Sequence, residues 1–252
     1  MWRLYDALIE GIDGSRRVDR ACCGALRAWV ESDGRAGLSS LLLPGGIPAE
    51  PTGELTQYHG WRLRDLAALV KSWERQESAL GVAALNAYYN DLTRLDALPA
   101  RLFAAGGEEG DAFLQLLPSA RHKKVATVGH FKGIDELYAP VCELTVFERE
   151  PRPGDLPDAA EEYLLPQMEL VFITGMALTN KTLPRLLQLS ANARVVLTGP
   201  SLPLTDILFD FGADVLSGLV LDNVEQGRQA VVNENWHGIY DCSRKALWQK
   251  PK

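Results

Sequence analysis

Lys123-Lys124-Val125-Ala126-Thr127-Val128-Gly129-His130-Phe131 reads as a short strand that stops at a glycine, a histidine and an aromatic. Val125, Ala126 and Val128 form an apolar run with only Thr127 inside it. That is the pattern of a strand covered on both faces, as parallel strands are. Residues 144–147 (LTVF) before Glu148, 170–173 (LVFI) before Thr174-Gly175, and 194–197 (RVVL) before Thr198-Gly199-Pro200-Ser201 repeat it. A fifth strand is expected over 214–221, and helical patterns fall at 158–165, 183–190 and 203–211. Strands alternating with helices predict βαβ units and a parallel sheet. Ligands of such a sheet bind just beyond the carboxyl ends of its strands, so the residues that stop each run are the candidates for function.

Upstream, Leu4, Ala7, Leu8 and Ile9 recur at helical spacing, with Gly11 or Gly14 as the stop. Asp33-Gly34 separates two strand-like stretches, 18–31 and 36–43, and marks a hairpin. Pro44-Gly45-Gly46 opens an irregular stretch to Gly53, either a loop near a cleft or a plain surface connection. An amphipathic helix is expected over 64–73. A second, over 77–88, is apolar almost all round, and its small residues Ser78, Ala79, Gly81, Ala83 and Ala84 suit close packing. Asn86 interrupts that surface, either as a satisfied structural amide or as a ligand-facing group. Residues 98–110, with Pro99, Gly106, Gly107 and Gly110, read as the seam between two halves, and 111–117 as a short helix. The expectation is an α/β protein: a small α+β domain over residues 1–117, then a Rossmann-like parallel-sheet domain over residues 118–252.

The chain has 252 residues, 46% hydrophobic and 23% charged, enough for a sizeable core in one or two domains. A net charge of -7 with no basic stripe argues against a nucleic-acid partner. Its aromatics are not interleaved with Lys and Arg as a single-strand binder requires. No apolar run approaches the ~20 residues of a membrane span, and the first residues lack a signal-peptide core. Cys22, Cys23, Cys142 and Cys242 include no CxxC pair and read as reduced thiols. A soluble cytoplasmic protein is expected.

Gly129-His130-Phe131-Lys132-Gly133 departs from the GxGxxG dinucleotide fingerprint, because Phe131 stands where the second glycine lets a pyrophosphate approach. Glu148, at the end of the second strand, is where an acid can bond a ribose hydroxyl of an adenosine cofactor. Thr182 and Ser201 are N-cap candidates, with Pro184 and Pro203 in the first turns they would cap. Arg185 and Leu204 hold the capping-box positions, so no Glu would occupy the free N–H groups. Two such helix N-termini at one sheet edge would favour a bound anion. Of His59, His122, His130 and His237, only His130 follows a buried strand directly, as general acid/base, anion donor or metal ligand. Asp222, after the fifth strand, is either a solvated turn acid or a second polar group at the same edge.

Gly81-Val82-Ala83-Ala84-Leu85-Asn86-Ala87, Val128-Gly129-His130-Phe131, Thr174-Gly175 with Asn180 and Thr182, and Gly199-Pro200-Ser201 together resemble the heavy-metal chelation family. Gly212, Gly218 and Asp222 fit the same pattern, so the likeness runs over most of the chain. The resemblance implies an enolase N-terminal-like domain joined to a Rossmann-like one, with a site between them built by these loops. It implies a heavy-metal ion or metal chelate as ligand, and names no reaction. Lys181 stands where the family has a small residue, which would put a charge near the pocket, and the cysteines lie outside the matching motifs. The leading expectation is a small anionic or metal-chelating ligand held in an interdomain cleft. Its contacts would come from Asn86, Gly129, His130, Phe131, Thr174, Gly175, Asn180, Lys181, Thr182, Gly199, Pro200, Ser201 and Asp222. The alternative is a transferase whose nucleotide-like cofactor is held by Glu148. No partner protein is legible, and a homodimer stays open.

Overall fold

The computed structural model describes residues 2–107 and 109–251, with the backbone alone at 236. Four strands, β1 (Arg20–Cys23), β2 (Arg27–Ser32), β3 (Arg35–Ser40) and β4 (Gly53–Glu54), form an antiparallel sheet in the order β3-β2-β1-β4. The β2–β3 hairpin closes through Asp33 and Gly34, both at positive φ (50° and 72°), which is what a two-residue primed turn requires. The helix Arg75–Tyr89 lies across this sheet, its start capped by Glu74, whose carboxylate accepts the Glu77 N–H. Gly37 of β3 sits so close to that helix that a Cβ would collide with the backbone of Ala83 and Ala87. Gly81 meets the backbone of Leu69 and Val70 in the same way. The helix expected over 64–73 is two pieces, α-helix Leu63–Ala67 and 3-10 helix Ala68–Lys71.

Eight further strands build the second sheet: β5 (Arg101–Leu102), β6 (Lys124–Val128), β7 (Glu143–Glu148), β8 (Leu156–Pro157), β9 (Leu170–Thr174), β10 (Arg194–Thr198), β11 (Val215–Leu221) and β12 (Ser243–Gln249). Their order is β5-β12-β11-β10-β9-β6-β7-β8, parallel from β11 to β8, with β12 and β5 antiparallel at one side. The chain runs outward from β6 through β7 to β8, then returns to β9 and runs the other way through β10 and β11. Its direction therefore reverses between β6 and β9, where the two diverging connections leave a crevice.

The helix Ala112–Ala120, capped by Asp111, packs Ala112, Leu116 and Ala120 into the cluster formed by Val125, Leu170, Phe172 and Val196 of this sheet. Residues 117 and 118, the expected domain division, both lie inside that helix. The expected helix over 203–211 is only Ile207–Asp210. Leu202 and Leu204 instead run buried against the first half, and the Leu204 N–H donates to Asn90 Oδ1 at 2.8 Å. The pattern at 158–165 becomes a short helix, Glu161–Leu164, between two 3-10 turns.

One apolar cluster runs through both halves, from Leu8, Leu66 and Leu85 to Ile173, Leu197 and Leu216. Buried polar groups stitch the seam. Tyr5 donates to Leu178 O (3.1 Å), Ser78 to Thr179 O (2.8 Å), and the Ser40 N–H to Ser201 Oγ (2.9 Å). Asn90 Nδ2 donates to Leu202 O (2.9 Å) and Leu219 O (3.1 Å).

Candidate functional site

At the crevice, Gly129 turns the chain out of β6 with φ 101°, and its N–H donates to Phe147 O at 2.8 Å. A Cβ there would lie 3.3 Å from the Thr174 side chain, so glycine serves both the backbone angle and the close approach of the β9 loop. His130 follows, fixed at three points. Its N–H donates to Glu148 Oε2 (2.9 Å), and its Nδ1 lies 3.0 Å from both oxygens of Asp155. Nε2 is 3.5 Å from Asp135 Oδ2. The Asp155 side chain is buried and also accepts the Arg152 N–H (3.0 Å), a second bond that holds its orientation. The sequence gives no spacing that points to Asp155; its one local signal is the Gly154-Asp155 turn just before β8.

On the other wall, Gly175 packs where a Cβ would come within 2.8 Å of Leu202 N. Asn180 Oδ1 accepts both the N–H (3.0 Å) and the hydroxyl (2.6 Å) of Thr182. Thr182 therefore stands at the N-cap position of Leu183–Leu189 without capping it by its side chain. Ser201 caps no helix either, because the next helix starts six residues later and its hydroxyl is spent on Ser40. The pair of converging capped N-termini expected from sequence is not present.

A cleft of about 680 Å³ opens between the halves. Leu42, Leu43, Pro44 and Arg75 line it from the first half, and Gly129, His130, Phe131, Thr174, Asn180 and Thr182 from the second. Glu148, Arg149, Arg152, Asp158 and Glu161 also line it, with Arg149 paired to Asp158 (3.5 Å). Gly45 N–H donates to Glu150 Oε1 (2.6 Å), tying the irregular first-half loop across the mouth. Burial, reinforced by Asp158, pushes the Glu161 carboxyl up to about 7.

The expected residues divide among several places. His130 and Phe131 also line a second cavity of about 930 Å³, shared with Gly199, Pro200, Thr198, Ser217 and Lys245. Asp222 borders a separate cavity of about 310 Å³ and pairs with Arg244 (2.8 Å). Asn86 is buried in the seam, donating to Leu38 O (2.7 Å) and Pro200 O (3.4 Å), with no partner for Oδ1. Lys181, at φ 67°, turns away from the cleft: its ammonium donates to Ser78 Oγ (2.7 Å) and Thr179 O (2.9 Å) and sits 5.4 Å over the Trp73 ring. Burial holds that ammonium below its usual range.

The thiols offer no soft-metal site. Cys22, Cys23 and Cys242 are buried and Cys142 half-buried. Burial pushes Cys22 up to about 11 and Cys23 up to about 12, away from the thiolate a metal needs. Among the described residues no group of three or more His, Cys, Asp or Glu is arranged to hold a metal ion, and no helix is long and apolar enough to cross a membrane.

Comparison with known proteins places this arrangement. An uncharacterized protein of Methanocaldococcus jannaschii is 31% identical over 175 residues, covering 65% of this chain and 62% of that protein. The chain thus spans less than two thirds of that relative's length. A crystal structure of a protein of unknown function from Desulfitobacterium hafniense DCB-2 superposes with a TM-score of 0.88 at 34% identity over 99% of both chains. One from Pyrococcus horikoshii gives 0.80 at 19% identity over 98% of both, a likeness of fold. Two family models, each described as "Putative heavy-metal chelation", match residues 5–89 and 111–242. With the second model alone matching more than half its length, the chain belongs to the heavy-metal chelation family.

Proposed function

We propose that the cleft binds a small anionic, metal-chelating organic ligand, and that a metal is handled as its chelate rather than as a bare ion. The observation that carries this reading is the composition of the cleft. It lies at the reversal of strand direction, has room for a small molecule, and gathers Arg75, Arg149 and Arg152 with the hydroxyls of Thr174 and Thr182. Glu148, Glu150, Asp158 and Glu161 share its lining, and Arg149 is paired with Asp158, which leaves Arg75 and Arg152 as the cations for an anion. It supplies no thiolate, and no cluster of His, Cys, Asp or Glu suited to a metal is found among the described residues. A metal entering it would be held through its organic partner. The net charge of -7 repels anions at long range, so any preference for one must be local. Four free cysteines fit a reducing compartment, and the reading locates the protein in the cytoplasm.

The test is calorimetry with citrate, nickel(II) citrate and nickel(II) alone. Citrate and its nickel complex should bind, and Arg75→Ala should weaken both by about 1.5–3 kcal/mol, the worth of a charged hydrogen bond. Tighter binding of nickel alone than of its citrate complex would reverse the reading, and no binding of any of the three would end it.

A second reading is favoured by the strand order. Taken as β8-β7-β6-β9-β10-β11, the parallel strands follow the doubly wound arrangement, which supports a Rossmann-like second half. The β1–β2–β3 antiparallel meander followed by helices supports an enolase N-terminal-like first half. Glu148 then occupies the ribose-binding place for an adenosine cofactor of a transferase. Against it, Glu148 already accepts the N–H groups of His130 and Arg149. Titration with S-adenosylmethionine and ATP separates the readings.

A further inference from the structure

We propose that His130 takes a proton from the ligand held in the cleft, with Asp155 as its positioning residue, so that the chain is an enzyme rather than a carrier. The inference rests on the cleft being a ligand site. Its own support is the geometry of the ring. An ionised carboxylate can only accept, so Asp155, at 3.0 Å from Nδ1 through both oxygens, requires the proton on Nδ1 and leaves Nε2 as the exchanging nitrogen. The Asp155 side chain is only 4% exposed and held by the Arg152 N–H, which makes it a fixed orienter. A histidine needed only to pin this loop would be enclosed, whereas His130 borders two cavities. The proton also has an exit: Asp135, 3.5 Å from Nε2, is 58% exposed on the helix Ile134–Tyr138.

The step balances without a further reagent. An O–H or N–H bond of the ligand breaks, and the proton goes to Nε2. The electron pair stays on the ligand atom, and the imidazolium keeps its Nδ1–H bond to Asp155. A chelator's donor atom undergoes this change when it exchanges its proton for a metal ion. The substrate class is therefore a chelator whose donor is an acidic hydroxyl, as in a catechol, or a hydroxamate, and the metal is its second substrate. Other charged groups around the ring are Arg75, Glu148, Arg149, Glu150, Arg152, Asp158 and Glu161 on the cleft side. Lys132, Asp111, Lys245, His237 and Asp241 face it across the second cavity. Acids and bases are mixed on both sides; of the two nearest carboxylates only Asp155 hydrogen-bonds the ring, so it sets the tautomer.

The experiment needs no ligand. Two-bond proton–nitrogen spectra of the full chain, labelled at histidine nitrogen, are recorded from pH 5 to 9, and carbethoxylation by diethyl pyrocarbonate is followed at each histidine by mass spectrometry. His130 should keep Nδ1 protonated throughout and be modified at Nε2. In Asp155→Asn the tautomer should be mixed or inverted and carbethoxylation slowed on the order of tenfold, as expected when the lone pair leaves Nε2. The spectra of His59, His122 and His237 should not move, and the wild-type result stands alone if the variant does not fold. A neutral ring that carries its proton on Nε2 with Nδ1 bare, or an Nε2 that resists modification, overturns the proposal. Failure of citrate to bind would remove the cleft reading while leaving these spectra unchanged, so the two failures are distinguishable.

Discussion

Asn90→Ala tests whether the two halves are held by a dry polar seam. Asn90 ends the helix Arg75–Tyr89 and is 6% exposed. Its Nδ2 donates to Leu202 O and Leu219 O, and its Oδ1 accepts from Leu204 N, so one side chain serves three backbone groups of the second half. Truncation leaves two carbonyls and one N–H without this partner. At about 1–3 kcal/mol for each buried group left unsatisfied, and with part of the loss recovered by carbonyls that accept elsewhere, the expected cost is about 3–5 kcal/mol. For a chain of this length that lowers the melting temperature by roughly 6–20 °C. Urea unfolding followed by tryptophan fluorescence gives the free energy, with Asn86→Ala as the comparison. Asn86 makes one good bond, to Leu38 O, and its Oδ1 is already without a partner, so its removal should cost about 1–2 kcal/mol. Equal losses in the two variants, or a loss below about 1 kcal/mol for Asn90→Ala, would mean that water replaces the side chain and the seam is not dry.

Gly129→Ala should be destabilised or shift the β6 loop, because φ 101° strains a residue with a Cβ and that Cβ would press on Thr174 at 3.3 Å; a cost of about 2 kcal/mol in urea unfolding is expected. Glu161 supplies a pH test. Its folded carboxyl is raised to about 7, so the native state holds a proton that the unfolded chain releases near the ordinary carboxylate value of ~4.5. Its contribution is complete below that value and is lost as pH rises toward 7, and Glu161→Gln should flatten the slope of stability between pH 5 and 8. Lys181→Ala should cost about 1 kcal/mol, from lost bonds to Ser78 and Thr179 and the contact with Trp73, and should leave citrate binding unchanged. With 5,5′-dithiobis(2-nitrobenzoate), Cys142 should react first, since the other three thiols are buried.

Most of the second sheet was legible because five of its parallel strands, β6, β7, β9, β10 and β11, are short apolar runs closed by a hydroxyl, acid or glycine, whereas the two-residue β8 carries no such run. The Asp33-Gly34 hairpin was equally direct, since positive φ at both positions selects those residues. What escaped depends on distant partners. β12 has Arg244 and Lys245 at its start and becomes a strand by pairing antiparallel along all of β11. The helix expected from Pro203 yields to an extended, buried Leu202–Leu204 segment because Asn90, over a hundred residues earlier, bonds both of its ends. Local propensity cannot register such a partner.

The motif residues expected at the site divide by the same logic. Gly129, His130, Thr174, Asn180 and Thr182 line the cleft, while Asn86 and Ser201 serve the contact between the halves and Gly175 lets the loops after β9 and β10 approach each other. Both groups sit on the same loops, because the carboxyl edge of the sheet is also the surface on which the first half rests. A change at Ser201 or Asn86 therefore acts on the cleft through the position of its roof, Leu42–Pro44 and Arg75, without any contact to a ligand. Ser201→Ala removes the acceptor of the Ser40 N–H, at the end of the strand that leads directly into Leu42. It should weaken citrate binding and stability together, whereas Arg75→Ala should weaken binding and spare stability. A Ser201→Ala protein that loses binding at wild-type stability would return Ser201 to the ligand and undo this division.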